Sequence, residues 1–105
     1  MSDKKKKIRE HFRSESLKRD TNKCRMCGVL NTGNHDVHHI TDRTLMPFGG
    51  YVKENGITLC PSCHEKAEIY HNTGEIIPGW APDDLYKVIG SSHALALRAS
   101  EKFKT

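Results

Sequence analysis

The sequence is short of the material that ordinarily holds a domain together. Only 35% of its 105 residues are hydrophobic and 7% are aromatic, with a single Trp. A chain of this length is expected to form one domain. With so few apolar side chains the core is thin, and some covalent or metal staple is needed. No apolar run approaches the ~20 residues that cross a bilayer, so a helical membrane span is excluded. Residues 1–25 also lack the apolar stretch of a signal peptide. A cytoplasmic location is therefore the expectation, and a reducing compartment argues against disulfides.

Charge is unevenly spread. The formal charge is +4, yet residues 1–25 carry ten Lys/Arg against four Asp/Glu, and the remaining eighty carry seven against nine. A basic arm on a near-neutral body suits a polyanion, with nucleic acid the first candidate. A solvated basic tail would look the same for Lys4–Lys7 alone.

Along the chain, residues 1–7 read as a disordered basic tail. Residues 8–20 read as a basic helix carrying Ile8 and Phe12 at i, i+4. Residues 24–70 form the expected core. Within it, Asp36–Thr41 and Ile57–Leu59 are strand candidates, residues 42–56 a glycine-rich loop, and Pro61 to about Tyr70 a helix with Ala67 and Tyr70 inward. Residues 75–105 read as a helical extension. Asp83 would cap one helix there, Leu95, Leu97 and Phe103 would anchor another, and Ile76-Ile77 is a brief extended piece.

What the chain does have is four cysteines in two C-x2-C pairs, Cys24/Cys27 and Cys60/Cys63, with 32 residues between the pairs. Each pair spans two corners of a tetrahedron, so together they suit a structural Zn²⁺. Closing the intervening segment makes metal binding part of the folding energy. A redox role is disfavoured, since neither pair stands in a thioredoxin-like strand-to-helix context.

The cysteines leave the histidines unexplained. His64 follows a zinc cysteine in the first turn of a helix. His38 and His39 are neighbours on a strand, so their side chains leave opposite faces. One can hold a metal while the other stays apart as a proton acceptor, the division of labour that hydrolysis by one metal requires.

The order His38-His39-Ile40, Gly49-Gly50, Asn55, Leu59-Cys60-x-x-Cys63-His64 resembles the HNH endonuclease family over residues 24–70. The resemblance implies an α+β fold: a small ββα-metal (His-Me finger) domain, here stapled by a four-cysteine zinc and flanked by N- and C-terminal helices. It implies His39 as general base, and Asn55 as the residue that braces the loop and so orients the base. It implies His38 and His64 as ligands of a catalytic divalent cation (Mg²⁺, Mn²⁺, Ni²⁺, Co²⁺ or Zn²⁺), and Cys24, Cys27, Cys60 and Cys63 as structural zinc ligands. Many members place another His four residues after the helix-opening one. Here that position is Glu68, which can serve as a ligand or face solvent.

The function so implied is metal-dependent DNA endonuclease activity by a one-metal, His general-base mechanism, nicking or weakly sequence-specific. A protein partner could supply targeting, while oligomeric state is not readable. The alternative is a non-catalytic zinc module that binds nucleic acid or a protein. His11, His35, His71 and His93 read as surface residues, with a substrate contact conceivable for His71. Trp80 reads as a packing anchor, and Arg43 as either a phosphate contact or a solvated side chain.

Overall fold

The computed structural model describes residues 2–102. Helix α1 runs Ser2–Arg19. It starts earlier than expected: residues 2–7, read as a disordered tail, continue the helix. Lysine is a good helix former, and Phe12, 4% exposed, anchors the turn beyond it. The helix ends where Thr21 and Asn22 take positive φ angles of 54° and 57°. The Asn22 amide donates back to the Leu17 carbonyl at 2.8 Å, closing the last turn.

The inner edge of α1 is Phe12, Ser16 and, one turn on, Asp20, all buried. A single hydrophobe on that stripe is too little, so polar bonds complete the attachment. Asp20 accepts from the Thr58 amide at 3.0 Å. It also pairs with Arg19 at 2.7 Å and Arg25 at 3.4 Å. Arg19 donates in turn to the carbonyls of Lys53 at 2.6 Å and Gly56 at 2.7 Å. Part of the basic arm is thus structural rather than free for a polyanion.

Strands β1 (Asp36–His39) and β2 (Gly56–Leu59) form a two-stranded antiparallel sheet. His38 pairs with Ile57 and His39 with Gly56. Strand β1 stops two residues short of the expected Thr41, although the Ile40 amide still bonds the Asn55 carbonyl at 2.9 Å. Gly56 is obligatory: a Cβ there would lie 2.7 Å from both the Phe12 ring and Ser16 Oγ. The loop between the strands is built of 3₁₀ turns at Arg43–Leu45, Pro47–Gly50 and Lys53–Asn55.

Helix α2 (Pro61–Thr73) follows β2 directly and ends at Gly74, φ 78°. Cys63 and Ala67 face inward, whereas Tyr70, expected beside them, is 37% exposed. Helices α3 (Pro82–Val88) and α4 (His93–Glu101) close the chain. Asp84, not Asp83, bonds the open end of α3, accepting from the Ala81 amide at 3.2 Å. Helix α4 packs on the Pro47–Gly50 turn through Ala96 and Ser100. Leu97 is partly buried, Leu95 is 44% exposed, and Phe103 lies outside the described residues. Ile76-Ile77 form no strand. Trp80 is partly buried against the core, with Lys66 Nζ 5.5 Å from its ring. The architecture is a small α+β unit: a two-stranded sheet, the helix that follows it, and flanking helices. No helix among the described residues is long and apolar enough to cross a membrane.

Candidate metal centres and active site

The first cluster is made of sulfur. The Cys24-x-x-Cys27 turn is closed by the Cys24 amide on the Val29 carbonyl at 2.9 Å and the Gly28 amide on the Cys24 carbonyl at 2.8 Å. Gly28 sits at φ 82°, where a side chain would be strained. The second pair sits where β2 enters α2. All four Sγ atoms lie within 4.8 Å of one another, with Cys27 and Cys60 at 3.7 Å. Tetrahedral zinc with bonds of ~2.3 Å needs sulfurs about 3.8 Å apart. The thiols are unpaired as disulfides. The Ser62 hydroxyl and the Cys63 amide hold the Cys60 thiol down to about 6, while burial pushes Cys63 up. Four converging sulfurs, three of them buried, fit a Zn²⁺ that would stabilise all four as thiolates.

The second cluster grows from the next residue. His64 points Nε2 at Glu68 Oε1, 2.9 Å away, one turn on along α2. His38, from β1, brings Nδ1 to 3.5 Å from the same oxygen. These three offer donor atoms mutually within 4.8 Å. Behind them, Asp36 Oδ2 lies 3.4 Å from His64 Nδ1, the kind of outer carboxylate that fixes a ligating imidazole. Burial, with His71, His64 and His39 adding repulsion, pushes His38 down to about 3. A neutral imidazole has a lone pair to give a cation, and His38 Nδ1 is the nitrogen that faces the Glu68 carboxylate. Nitrogen and carboxylate donors beside an open pocket fit a hard or borderline divalent ion.

His39 lines the same pocket, a cleft of about 360 Å³, from a different direction. Its ring stacks on Phe12 at 4.6 Å and meets the edge of Tyr51 at 4.8 Å. Burial, helped by the Arg43 charge, pushes its pKa down to about 4, and its Nε2 has no partner among the described residues. His39 is therefore neutral at pH 7, and it lines the cleft that holds the other donors.

Among the described residues, the Asn55 side chain makes no hydrogen bond to an imidazole. It is fully buried and ties the loop ends together. Its Oδ1 accepts from the Thr41 amide at 2.9 Å and the Tyr86 hydroxyl at 2.7 Å. Its Nδ2 donates to the carbonyls of Thr41 at 3.1 Å and Gly50 at 3.3 Å. Gly50 has no room for a Cβ, which would lie 2.8 Å from Asn55 Nδ2. Asn55 thereby fixes where the chain goes after His39, while Phe12 and Tyr51 hold the ring itself.

Other histidines fall differently from the surface positions expected of them. His71 lines the pocket with its ring 4.9 Å from that of His38. The signal was available, because 64, 68 and 71 lie at i, i+4 and i+7 on one helical face. His35 is 3% exposed and structural, bonded to the Val29 carbonyl at 3.0 Å and Asn34 Oδ1 at 2.9 Å. His11 and His93 are exposed as expected. Arg43 is exposed, at the mouth of the pocket, with Nη1 3.5 Å from Tyr51 Oη. Phe12 reads from the sequence only as a helix hydrophobe and Tyr51 carries no motif, so their packing on His39 could not be found from the sequence.

Compared with known families, residues 24–68 match the family model described as HNH endonuclease. That segment holds both metal clusters, His39 and Asn55. No curated protein and no solved structure matches the chain.

Proposed function

Since residues 24–68 match the HNH endonuclease family model, we propose that the protein is a divalent-ion-dependent DNA endonuclease. One observation carries the reading: a neutral His39 lines the same cleft as the His38, His64 and Glu68 donor set. A divalent ion held by His38, His64 and Glu68 would neutralise phosphate charge and stabilise the departing oxygen. The other parts belong to the chain. His39 takes a proton from a water as the water oxygen attacks phosphorus. The bond from phosphorus to the 3′ oxygen breaks, and that oxygen takes a proton from solvent. The products carry a 5′-phosphate and a 3′-hydroxyl. Phe12 and Tyr51 keep the imidazole from turning, and Asn55 keeps the following loop in place. The cations of α1 that are not spent on structure, chiefly Lys4–Lys7 and Arg9, hold flanking phosphates without reading sequence. Nicking with weak sequence preference follows.

The test is conversion of supercoiled plasmid to open circles with Mg²⁺, Mn²⁺ or Ni²⁺ added to the zinc-loaded protein. We expect nicking by the wild type and a loss of about 10²–10⁴-fold in rate for His39→Ala, the range for removing a general base. Binding without cleavage under every ion would instead mark a non-catalytic nucleic-acid module.

A further inference from the structure

The turn Pro47–Gly50 holds Phe48 in a conformation that aromatic residues rarely adopt, φ 54° and ψ 27°. The left-handed region is strained for a side chain of this size. The ring gains no core in exchange, being 58% exposed. The turn beneath it is firmly seated. Met46 on one side is 6% exposed, and the Gly50 carbonyl on the other is held by Asn55. The structure therefore fixes an aromatic ring outward on a rigid support.

Phe48 faces a groove of about 620 Å³ that Tyr51 and the cations Lys4, Lys5, Arg9 and Arg43 also line. Among the described residues, no carboxylate lines it. Arg43 lines both this groove and the cleft holding His39, so the two are adjacent. Cations flanking an exposed aromatic ring are the chemistry that recognises a nucleic-acid strand whose bases are available for stacking. An acidic peptide would satisfy the cations but has no use for a ring held out at this cost.

We propose that this groove is a single-strand subsite. Phe48 stacks on an unpaired base next to the cleaved phosphate, while Lys4, Lys5, Arg9 and Arg43 hold the phosphates beside it. The preferred substrate class is then DNA with an open stretch at the cleavage point, such as a single strand, a gap or a frayed junction. The inference rests on the endonuclease reading for the word cleaved, but not for the stacking.

Binding without turnover separates the two. Zinc-loaded His39→Ala protein, with no other divalent ion, is titrated by anisotropy with a labelled single strand and with the matching duplex. The single strand is expected to bind more tightly. Adding Phe48→Gly should weaken single-strand binding by about tenfold while leaving the duplex little changed. Because glycine accepts the turn's φ without strain, Tm should hold or rise, so lost binding cannot be blamed on unfolding. Phe48→Trp should restore affinity. An abasic substitution at the stacked position should cost the protein that retains Phe48 what Phe48→Gly costs, and cost the Phe48→Gly variant nothing. Arg9→Ala should lower the slope of log affinity against log salt by about 0.7 on the single strand. The subsite is refuted if Phe48→Gly leaves single-strand affinity unchanged, if the abasic and Phe48→Gly losses simply add, or if poly-glutamate competes as well as the oligonucleotide. Failure to nick plasmid, with these binding results intact, would overturn the endonuclease and leave the subsite standing.

Discussion

One turn of α2 feeds two donor clusters, and they differ in nearly everything a metal responds to. Cys60 and Cys63 meet Cys24 and Cys27 in a set of four soft sulfurs that can fill a tetrahedron. His64, the next residue, meets His38 and Glu68 in a set of three harder donors beside a 360 Å³ cleft. A closed set serves structure, and an open one leaves positions for water and substrate. The contrast teaches that a closed sulfur set and an open mixed set can grow from adjacent residues, and their roles should then be separable by mutation.

The largest expected effect tests that separation directly. Cys24→Ser removes one buried ligand from the staple of a thin core. The thermal transition should be lost or become non-cooperative, and chelating the zinc should do the same. His39→Ala should keep a sharp transition near the wild-type midpoint. If Cys24→Ser melted like the wild type, the sulfur cluster would not be a staple and the contrast would collapse.

Asn55→Ala comes next. It strands the Thr41 amide and the carbonyls of Thr41 and Gly50, and leaves the Tyr86 hydroxyl with the Thr41 hydroxyl alone, so we expect a loss of about 3 kcal/mol by urea melting. The residue would then affect cleavage largely through loop order. A catalytic defect with full stability would show a more direct part in the reaction.

The third test uses acid. His39 titrates at about 4 in the fold against 6.5 in the open chain. Between those values the unfolded chain binds the proton and the native one does not. Stability is thus complete above pH 6.5 and declines as pH falls toward 4, by on the order of 2 kcal/mol from this group. Since the sulfur cluster also weakens in acid, the readout is a difference: Tm of His39→Gln should fall less than wild type over that window. Parallel profiles would show that His39 is not held neutral by burial.

The smallest effect probes the open cluster. Glu68→Gln removes the charge but keeps the shape, and should raise the Mn²⁺ concentration for half-maximal nicking about tenfold. Tm of the zinc-loaded protein should shift by no more than a few degrees. An unchanged Mn²⁺ requirement would place the carboxylate outside the ion's shell.

How far the sequence revealed this arrangement depended on distance along the chain. The cysteine pairs, the His38-His39 step, Asn55 and His64 sit in short motifs whose spacing is itself geometric information. The structure brings His38 and His64 together and gathers the thiols as that spacing suggested. Glu68 and His71 were legible in principle from helical periodicity, but Glu68 departs from the motif and His71 lies beyond it. The attachment of α1 was not legible. It depends on Phe12 finding Gly56 and Asp20 finding the Thr58 amide, pairings that leave no local pattern. The early start of α1 was missed because a lysine run looks like a tail until something downstream anchors it. His35 was misplaced for a related reason: its partner, the Val29 carbonyl, is backbone and carries no sequence signature.

The close seating of Phe12 on Gly56 also bears on where the working unit ends. One wall of the His39 ring is supplied by a residue twelve positions upstream of the first cysteine. A fragment trimmed to residues 24–68 would keep every metal donor yet bare that imidazole to water on one side, and it would leave the Gly56 notch empty. The unit that keeps His39 shielded should therefore be longer than the segment matched by the family model, with the leading helix covering one face of that ring.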